Sequence, residues 1–362
     1  MIDAPALPPP AIVAPAAHEV SFGLVAGTAP AGTRRLIVRI GERVLADRPL
    51  RGRSFSIRVE LPRREADVRV TTLDRSGRRS SSVVRSVFGL PPAASGSARA
   101  GREDAALTRT VRSLTRGFHG TSAVYVQDLR SGRGAAWNAR ARFPAASTLK
   151  LAIAVAVLRA QQGKPQPGSR LDALLRSMLV HSDNDAANAL EVWLAGSTGA
   201  GSARVNETMR ALGLADSEMY GGYETTRAPQ GPIPVRVEDA PAFGVGKHTT
   251  AWDLARLFRA TLLAAGNRGP LLGLGVTGAE ARYLLWQLAH VPDRGKLGRF
   301  AGGIPVLHKA GWLGTARHDA GLVFYEGGVF VASVLTWDRA GVGTASDVLA
   351  GRVALTALER FR

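Results

Sequence analysis

The chain has 362 residues, 45% of them hydrophobic, with 41 glycines, 20 prolines, no cysteine and a formal net charge of +18. The length exceeds one typical core and predicts two domains, and the missing cysteine excludes disulfides, thiolate nucleophiles and thiolate metal sites. The positive charge is mostly arginine spread along the chain; this fits general attraction to anions, whereas a dedicated nucleic-acid reader concentrates its charge on one element.

In chain order, residues 1–15 read as a disordered tail. Residues 1–20 lack the basic start and the sustained apolar run of a signal peptide or membrane span. Segments 35–40, 54–61 and 67–70 alternate apolar and polar residues, with Phe55, Ile57, Val59 and Leu61 on one side. Period two with arginines on the outer side predicts half-buried antiparallel strands. Turn signals at Pro62-Arg63-Arg64 and Asp74-Arg75-Ser76-Gly77 then predict an all-β, immunoglobulin-like sandwich over 16–90. Residues 91–104, opening Pro91-Pro92-Ala93-Ala94-Ser95-Gly96-Ser97, read as a linker.

After the linker the periodicity changes. Helices are predicted at 106–114, 148–160, 169–179, 184–195, 203–212, 277–288 and 345–360, and strands at 122–129, 304–309, 319–325 and 329–336. Thr249-Thr250 caps a further helix whose Leu254, Leu257, Phe258 and Leu262 share a stripe. A strand, many helices, then strands and a helix predict an α+β domain over 105–362 whose sheet joins its two ends.

Three short motifs carry the chemistry: Ser147-Thr148-Leu149-Lys150, Ser182-Asp183-Asn184 and Lys309-Ala310-Gly311. Ser147 stands at a predicted helix start, where unpaired amides favour a developing oxyanion, and Lys150 follows one turn on. A lysine in basic or apolar surroundings loses its proton more easily and can take one from Ser147. Ser182 is placed to relay a proton to a leaving nitrogen, and Asn184 to hold Lys150 or the substrate. Lys309 is placed to meet a substrate carboxylate, Gly311 lets a ligand lie along the strand, and the Trp312 N–H pairs with that of Ser147 as an oxyanion donor. Each motif alone has a plainer reading: Ser147 and the 182–184 triplet as helix caps, Lys309 as a solvent-facing strand lysine. His181 and His308 flank the motifs without ligand spacing, so no metal and no cofactor is expected.

Together the motifs and their flanks resemble the penicillin-recognising serine hydrolases, specifically the class A serine β-lactamases. The resembling segments are Phe143-Pro144-Ala145-Ala146-Ser147-Thr148-Leu149-Lys150, Ser182-Asp183-Asn184-Asp185-Ala186-Ala187-Asn188 and Thr249-Thr250-Ala251-Trp252-Asp253-Leu254-Ala255-Arg256-Leu257. The resemblance implies a helical subdomain beside a five-stranded antiparallel sheet with flanking helices, and a site between them. It implies that Ser147 is acylated, that Lys150 activates it, that Ser182 protonates the leaving nitrogen, and that Asn184, Lys309, Ala310, Gly311 and Trp312 bind substrate.

Two positions depart from the pattern. Ala310 stands where a hydroxyl residue is expected. The glutamate that clears the acyl group normally sits in a Glu-x-x-Leu-Asn context, and here the span reads Glu218-Met219-Tyr220-Gly221-Gly222-Tyr223-Glu224. Glu224 is the expected base, with Glu218 in reserve, and the Pro- and Gly-rich stretch from Tyr220 to Lys247 predicts an altered loop over the cleft. The expected substrate is a β-lactam. The alternatives are a cell-wall D-amino-acid peptide or other amide or ester, or a surface-binding protein with a weak hydrolase domain. A secreted or envelope-bound monomer is expected, with no specific nucleic-acid partner and only non-specific contact with anionic cell surfaces.

Overall fold

The alternating segments of the first hundred residues form two sheets. The computed structural model describes residues 6–94, 99–224 and 246–362, and the chain divides into two units, Met1–Ser95 and Gly96–Arg362. In the first unit the strands are β1 (Ala11–Ala14), β2 (Glu19–Ser21), β3 (Leu24–Thr28), β4 (Thr33–Ile40), β5 (Arg43–Pro49), β6 (Ser54–Arg58), β7 (Glu65–Asp74) and β8 (Arg79–Gly89). One sheet runs β1-β3-β6 and the other β2-β8-β7-β4-β5. Val25 and Phe55 of the first sheet share one core with Leu36, Val38, Val68, Val70 and Val87 of the second. The alternation thus buries one side of each sheet and turns its polar residues outward. Against the expected disordered tail over 1–15, Ala11–Ala14 are ordered, because they pair antiparallel with β3 and satisfy their backbone there.

The second unit is α+β. Its elements are β9 (Arg102–Glu103), α1 (Ala105–Arg116), β10 (Thr121–Asp128), β11 (Arg133–Trp137), β12 (Phe143–Pro144), α2 (Lys150–Gln161), α3 (Arg170–Val180), α4 (Asn184–Ala195), α5 (Thr198–Ala211), β13 (His248–Thr249), α6 (Ala251–Ala265), α7 (Pro270–Gly273), α8 (Gly278–Ala289), β14 (Val306–Trp312), β15 (Ala316–Tyr325), β16 (Gly328–Trp337) and α9 (Thr344–Phe361). The sheet order is β14-β15-β16-β10-β11-β9. Five of these strands are antiparallel neighbours as expected, and the sixth, β9, adds a two-residue parallel edge on β11 within the predicted linker. Leu107 and Val111 of α1 and Leu349, Val353 and Ala357 of α9 cover one face through Val124, Val126, Phe330 and Val334. α6 packs on β10, β15 and β16, and α8 on β14. Buried on both faces, β16 is an apolar run from Val329 to Leu335, interrupted only by Ser333.

Asp104 ties the ends of this unit together. It caps α1 through the Leu107 N–H (3.1 Å) and accepts from Arg133 Nε on β11 (2.8 Å) and Arg360 Nε on α9 (3.0 Å). Against the pull of burial, these donors hold its carboxyl down to about 2. α2 is buried from Lys150 to Leu158, so it is apolar all round rather than amphipathic. Among the described residues no helix is long and apolar enough to cross a membrane.

Candidate active site

Ser147 stands in a 3-10 turn, Ala146–Leu149, that runs straight into α2. The turn is pinned from three sides: Ala145 N–H donates to Lys247 O (2.9 Å), Thr148 Oγ1 donates to Ala145 O (2.6 Å), and His318 Nε2 on β15 meets Pro144 O (2.7 Å). Ala146 has a φ of +48°, a left-handed conformation that costs energy in a residue with a β-carbon. No side chain caps this turn or α2, so Ser147 does not act as a helix cap.

β14 lies against the same turn. A β-carbon added at Gly311 would meet Ser147 N at 2.6 Å and Thr148 N at 3.0 Å, so only glycine permits this approach. Trp312 follows at the end of the strand, 55% exposed, and Ala310 is buried. Lys309 is not a solvent-facing lysine: it is buried, and its Nζ donates to Ser182 Oγ (2.8 Å) and Ala310 O (3.1 Å). Burial pushes its pKa down to about 8, against the upward pull of the Asp319 and Asp293 carboxylates.

Lys150 is fully buried. Its Nζ donates to Ser182 O (2.5 Å) and Asn184 Oδ1 (2.6 Å). Burial, reinforced by the Lys309 charge, holds this amine well below its usual range. Ser182 therefore receives a lysine on its carbonyl and another on its hydroxyl, and it too is left-handed, with φ +60°. Capping falls to its neighbour. The Asp183 side chain accepts from the amides of Asp185 (2.9 Å) and Ala186 (3.3 Å) at the start of α4 and from Ser177 Oγ (2.7 Å), leaving Ser182 and Asn184 to face the amines.

The opposite wall comes from residues 219–224 and 247. Asn188 Nδ2 donates to Tyr223 O (2.8 Å) and Asn188 Oδ1 accepts from Tyr223 N (2.6 Å), fixing the backbone on both sides. The buried Tyr223 ring lies 4.6 Å from Lys150 Nζ and 4.8 Å from Lys247 Nζ. Its hydroxyl donates to Met219 Sδ (3.9 Å), and burial with the nearby Glu191 carboxylate pushes the phenol well above its ordinary value. It stays protonated and presents a ring face, not a base, to the amines. Lys247 Nζ donates to Gly222 O (2.5 Å), and burial lowers its pKa. Asn184 Nδ2 reaches Glu224 O (2.6 Å); Glu224 itself is exposed. Glu218 pairs its backbone with His248, with its carboxylate 4.0 Å from His248 Nε2. Most of the loop expected between Tyr220 and Lys247 lies outside the described residues.

The family model for the beta-lactamase enzyme family matches residues 106–171 and 161–361. The chain belongs to this family. No curated protein sequence matches it. Among solved structures, PBP-A is similar at 21% identity over 73% of this chain and 99% of that one, with a TM-score of 0.57. A class A beta-lactamase from Mycobacterium abscessus is similar at 20% identity over 70% of this chain and 99% of that one, TM-score 0.56. An ancestral class A beta-lactamase is similar at 22% identity over 70% of this chain and 100% of that one, TM-score 0.56. At these identities the likeness is one of fold. In this beta-lactamase-family chain, hydrogen bonds join Lys150, Ser182, Asn184 and Lys309, and the backbone of Ser147 lies against Gly311, two residues on from Lys309. Sequence reasoning missed Tyr223, Asn188 as its anchor, Lys247, and Glu191, whose only sequence signal is a lone acid in the run Ala189-Leu190-Glu191-Val192-Trp193-Leu194.

Proposed function

We propose that this chain is a serine hydrolase that opens a β-lactam amide through an acyl-enzyme on Ser147 and then hydrolyses the ester. The single observation that carries this reading is how the Lys150 amine spends its hydrogens. A neutral amine has two N–H bonds and one lone pair. Both N–H bonds are engaged by Ser182 O and Asn184 Oδ1, so the lone pair remains to accept the Ser147 proton. Ser147 Oγ attacks the carbonyl carbon, and the Ser147 and Trp312 amides take up the oxyanion. Ser182, held by Lys309, delivers a proton to the departing nitrogen as the C–N bond breaks and regains one from the Lys150 ammonium, which returns that amine to its neutral form. Lys309 meets the substrate carboxylate, Asn184 orients the amide, and Gly311 gives the strand room to lie beside the acyl group. Ala310 offers that carboxylate no hydroxyl.

For hydrolysis of the ester we assign Glu224 as the base that activates water. The Asn184 bond to its backbone supports it over Glu218, which pairs with His248. A second reading is favoured by one observation: the side chain stacked on Lys150 is an aromatic ring. If water activation is poor, a cell-wall D-amino-acid peptide or a related amide or ester is the natural substrate and a penicillin only a long-lived acylating agent. A variant of PBP-A, similar to this chain at 22% identity with a TM-score of 0.54, was solved as an acyl-enzyme complex with penicillin G. We read the N-terminal unit as an immunoglobulin-like sandwich that touches anionic cell surfaces. Arg39 and Arg69 face each other across β4 and β7, a repulsion that an anionic partner relieves. A secreted or envelope-bound monomer accords with either substrate.

Intact mass followed after mixing with benzylpenicillin tests the reading. An adduct on Ser147 that forms and decays quickly is the expected result, and Glu224→Gln should lengthen its life while Glu218→Gln does not. A persistent adduct, with turnover of D-amino-acid peptides, favours the second reading. Absence of any adduct on Ser147 leaves only the surface-binding protein with an inactive hydrolase domain.

A further inference from the structure

We propose that Glu191 is a positioning residue for acylation: from the deep end of α4 it fastens the wall of residues 219–224 through Ser202 and supplies the buried negative charge that offsets the two amines stacked on Tyr223. The inference rests on the reading of Ser147 as the acylated residue and Lys150 as its base, and it adds a residue that lies in none of the three motifs.

Asn184, Asn188 and Glu191 stand at i, i+4 and i+7 of α4, on one stripe of the helix. The stripe meets the wall in order. Asn184 holds Lys150 Nζ and the Glu224 carbonyl, and Asn188 brackets the backbone of Tyr223. At the deep end the fully buried Glu191 has its Oε1 2.7 Å from Ser202 Oγ on α5, and that hydroxyl lies 2.9 Å from Gly221 O. The two helices are pressed together here: a β-carbon added at Gly201 would meet Glu191 O at 2.3 Å. One turn further along α5, Asn206 brackets Met219, donating to its carbonyl (2.9 Å) and accepting from its amide (2.7 Å). The wall is thus tied from beneath at 219, 221, 223 and 224. Glu191 is the one carboxylate side chain among these ties.

A carboxylate taken out of water is costly unless cations offset it. The charge of Glu191 favours the ammonium forms of Lys150 and Lys247 and opposes ionisation of Tyr223, whose ring lies 4.6 and 4.8 Å from the two Nζ atoms. The other charges acting on Lys150 are Lys309 on β14 and Lys247, which oppose its protonation, and Asp183 at the cap of α4, which favours it; Glu224 acts on Lys247. Burial outweighs both carboxylates and keeps the Lys150 amine low. Glu191 therefore limits how far that amine falls and, through Ser202, helps to hold the ring that shields it.

Acylation of Ser147 by benzylpenicillin, followed by intact mass from about pH 4.5 to 9, tests this in the wild type, Glu191→Gln, Glu191→Asp and Ser202→Ala. A glutamine can donate to the Ser202 hydroxyl, whose own proton then goes to Gly221 O, so Glu191→Gln keeps the tie and loses only the charge. The acid limb of its profile should move down by about half to one pH unit. Ser202→Ala keeps the charge and cuts the tie, so water reaching Lys150 should move the limb up. Glu191→Asp, which keeps the charge, should lie closer to the wild type than Glu191→Gln does. A slower Glu191→Gln with an unmoved limb would make Glu191 a packing residue and overturn the inference, as would shifts of the same direction in Glu191→Gln and Ser202→Ala. Should Glu191→Gln fail to fold, an unmoved limb in Ser202→Ala overturns it alone. In each of these cases the wild type is still acylated and the reading of the site survives. A wild type that forms no adduct on Ser147 removes both.

Discussion

The two walls of the cleft differ in what they keep. On the strand wall, Lys309 bonds to Ser182 and Gly311 closes against the Ser147 amide, so side chain and backbone of one strand reach two serines. On the loop wall an aromatic ring fills the space between two lysines, and the nearby glutamate contributes its backbone carbonyl to Asn184. On the proposed mechanism the strand wall would serve formation of the ester, and the loop wall, which keeps an amine dry, would serve proton abstraction from Ser147 better than activation of water. Making and clearing the acyl-enzyme would then be separable.

The largest expected effect falls on the strand wall. Gly311→Ala should lower acylation by about a hundredfold or more, because its β-carbon can be accommodated only by moving backbone at Ser147, and a displacement near 1 Å has that consequence. Rates measured by adduct mass check this, and a near-normal rate would break the contrast between the walls. Tyr223→Ala should be milder, about tenfold at pH 7. Water entering beside Lys150 raises that amine toward its ordinary value of about 10.4 and leaves less of it free, so the loss should shrink as pH rises. A pH-independent loss would assign the ring to packing alone.

Lys309 sharpens the comparison from the other direction. With its pKa at about 8, it gives up its charge as pH rises through that value, and acylation by a carboxylate-bearing compound should fall several-fold between pH 7 and 9 while a neutral ester does not follow. The last effect concerns the floor beneath both walls and falls on stability, not on rate. His318 is buried with Nε2 against Pro144 O and Nδ1 accepting from the Thr336 amide, and burial pushes it down to about 4. The unfolded chain therefore takes up the proton first as pH falls below about 6.5, and stability should drop by about 1.4 kcal/mol per pH unit until pH 4 is reached. Denaturant titrations across that window check the slope, and His318→Gln, which cannot titrate there, should flatten it.

Much of the strand wall and of α2 was legible because its chemistry is contiguous. A serine with a lysine one turn on, a serine beside an asparagine, and a lysine before a small residue each occupy a few consecutive positions. Even so, only geometry decided among the plainer readings: the cap reading of the 182–184 triplet holds for Asp183, Ser147 caps nothing, and Lys309 is buried. The loop wall was illegible because what positions Tyr223 is a pair of bonds from Asn188 to backbone atoms, which any residue at 223 would present. In the fold, long alternating or apolar runs were readable, whereas β1, β9 and β12, with four or fewer residues each, have no room for a period to register.

The pairing of β10 with β16 has a bearing on how the protein is made. β10 (Thr121–Asp128) leaves the ribosome well before its partner β16 (Gly328–Trp337), so the central pair of this sheet is completed only after the helices between them have been made. Until then the apolar edge of β10 needs shielding from other chains. The strands of the first unit, all drawn from residues 11–89, have their partners at hand much sooner. A nascent chain halted before β16 should therefore display one protease-resistant part and one sensitive part, and helper proteins that guard exposed strand edges should bind the sensitive one.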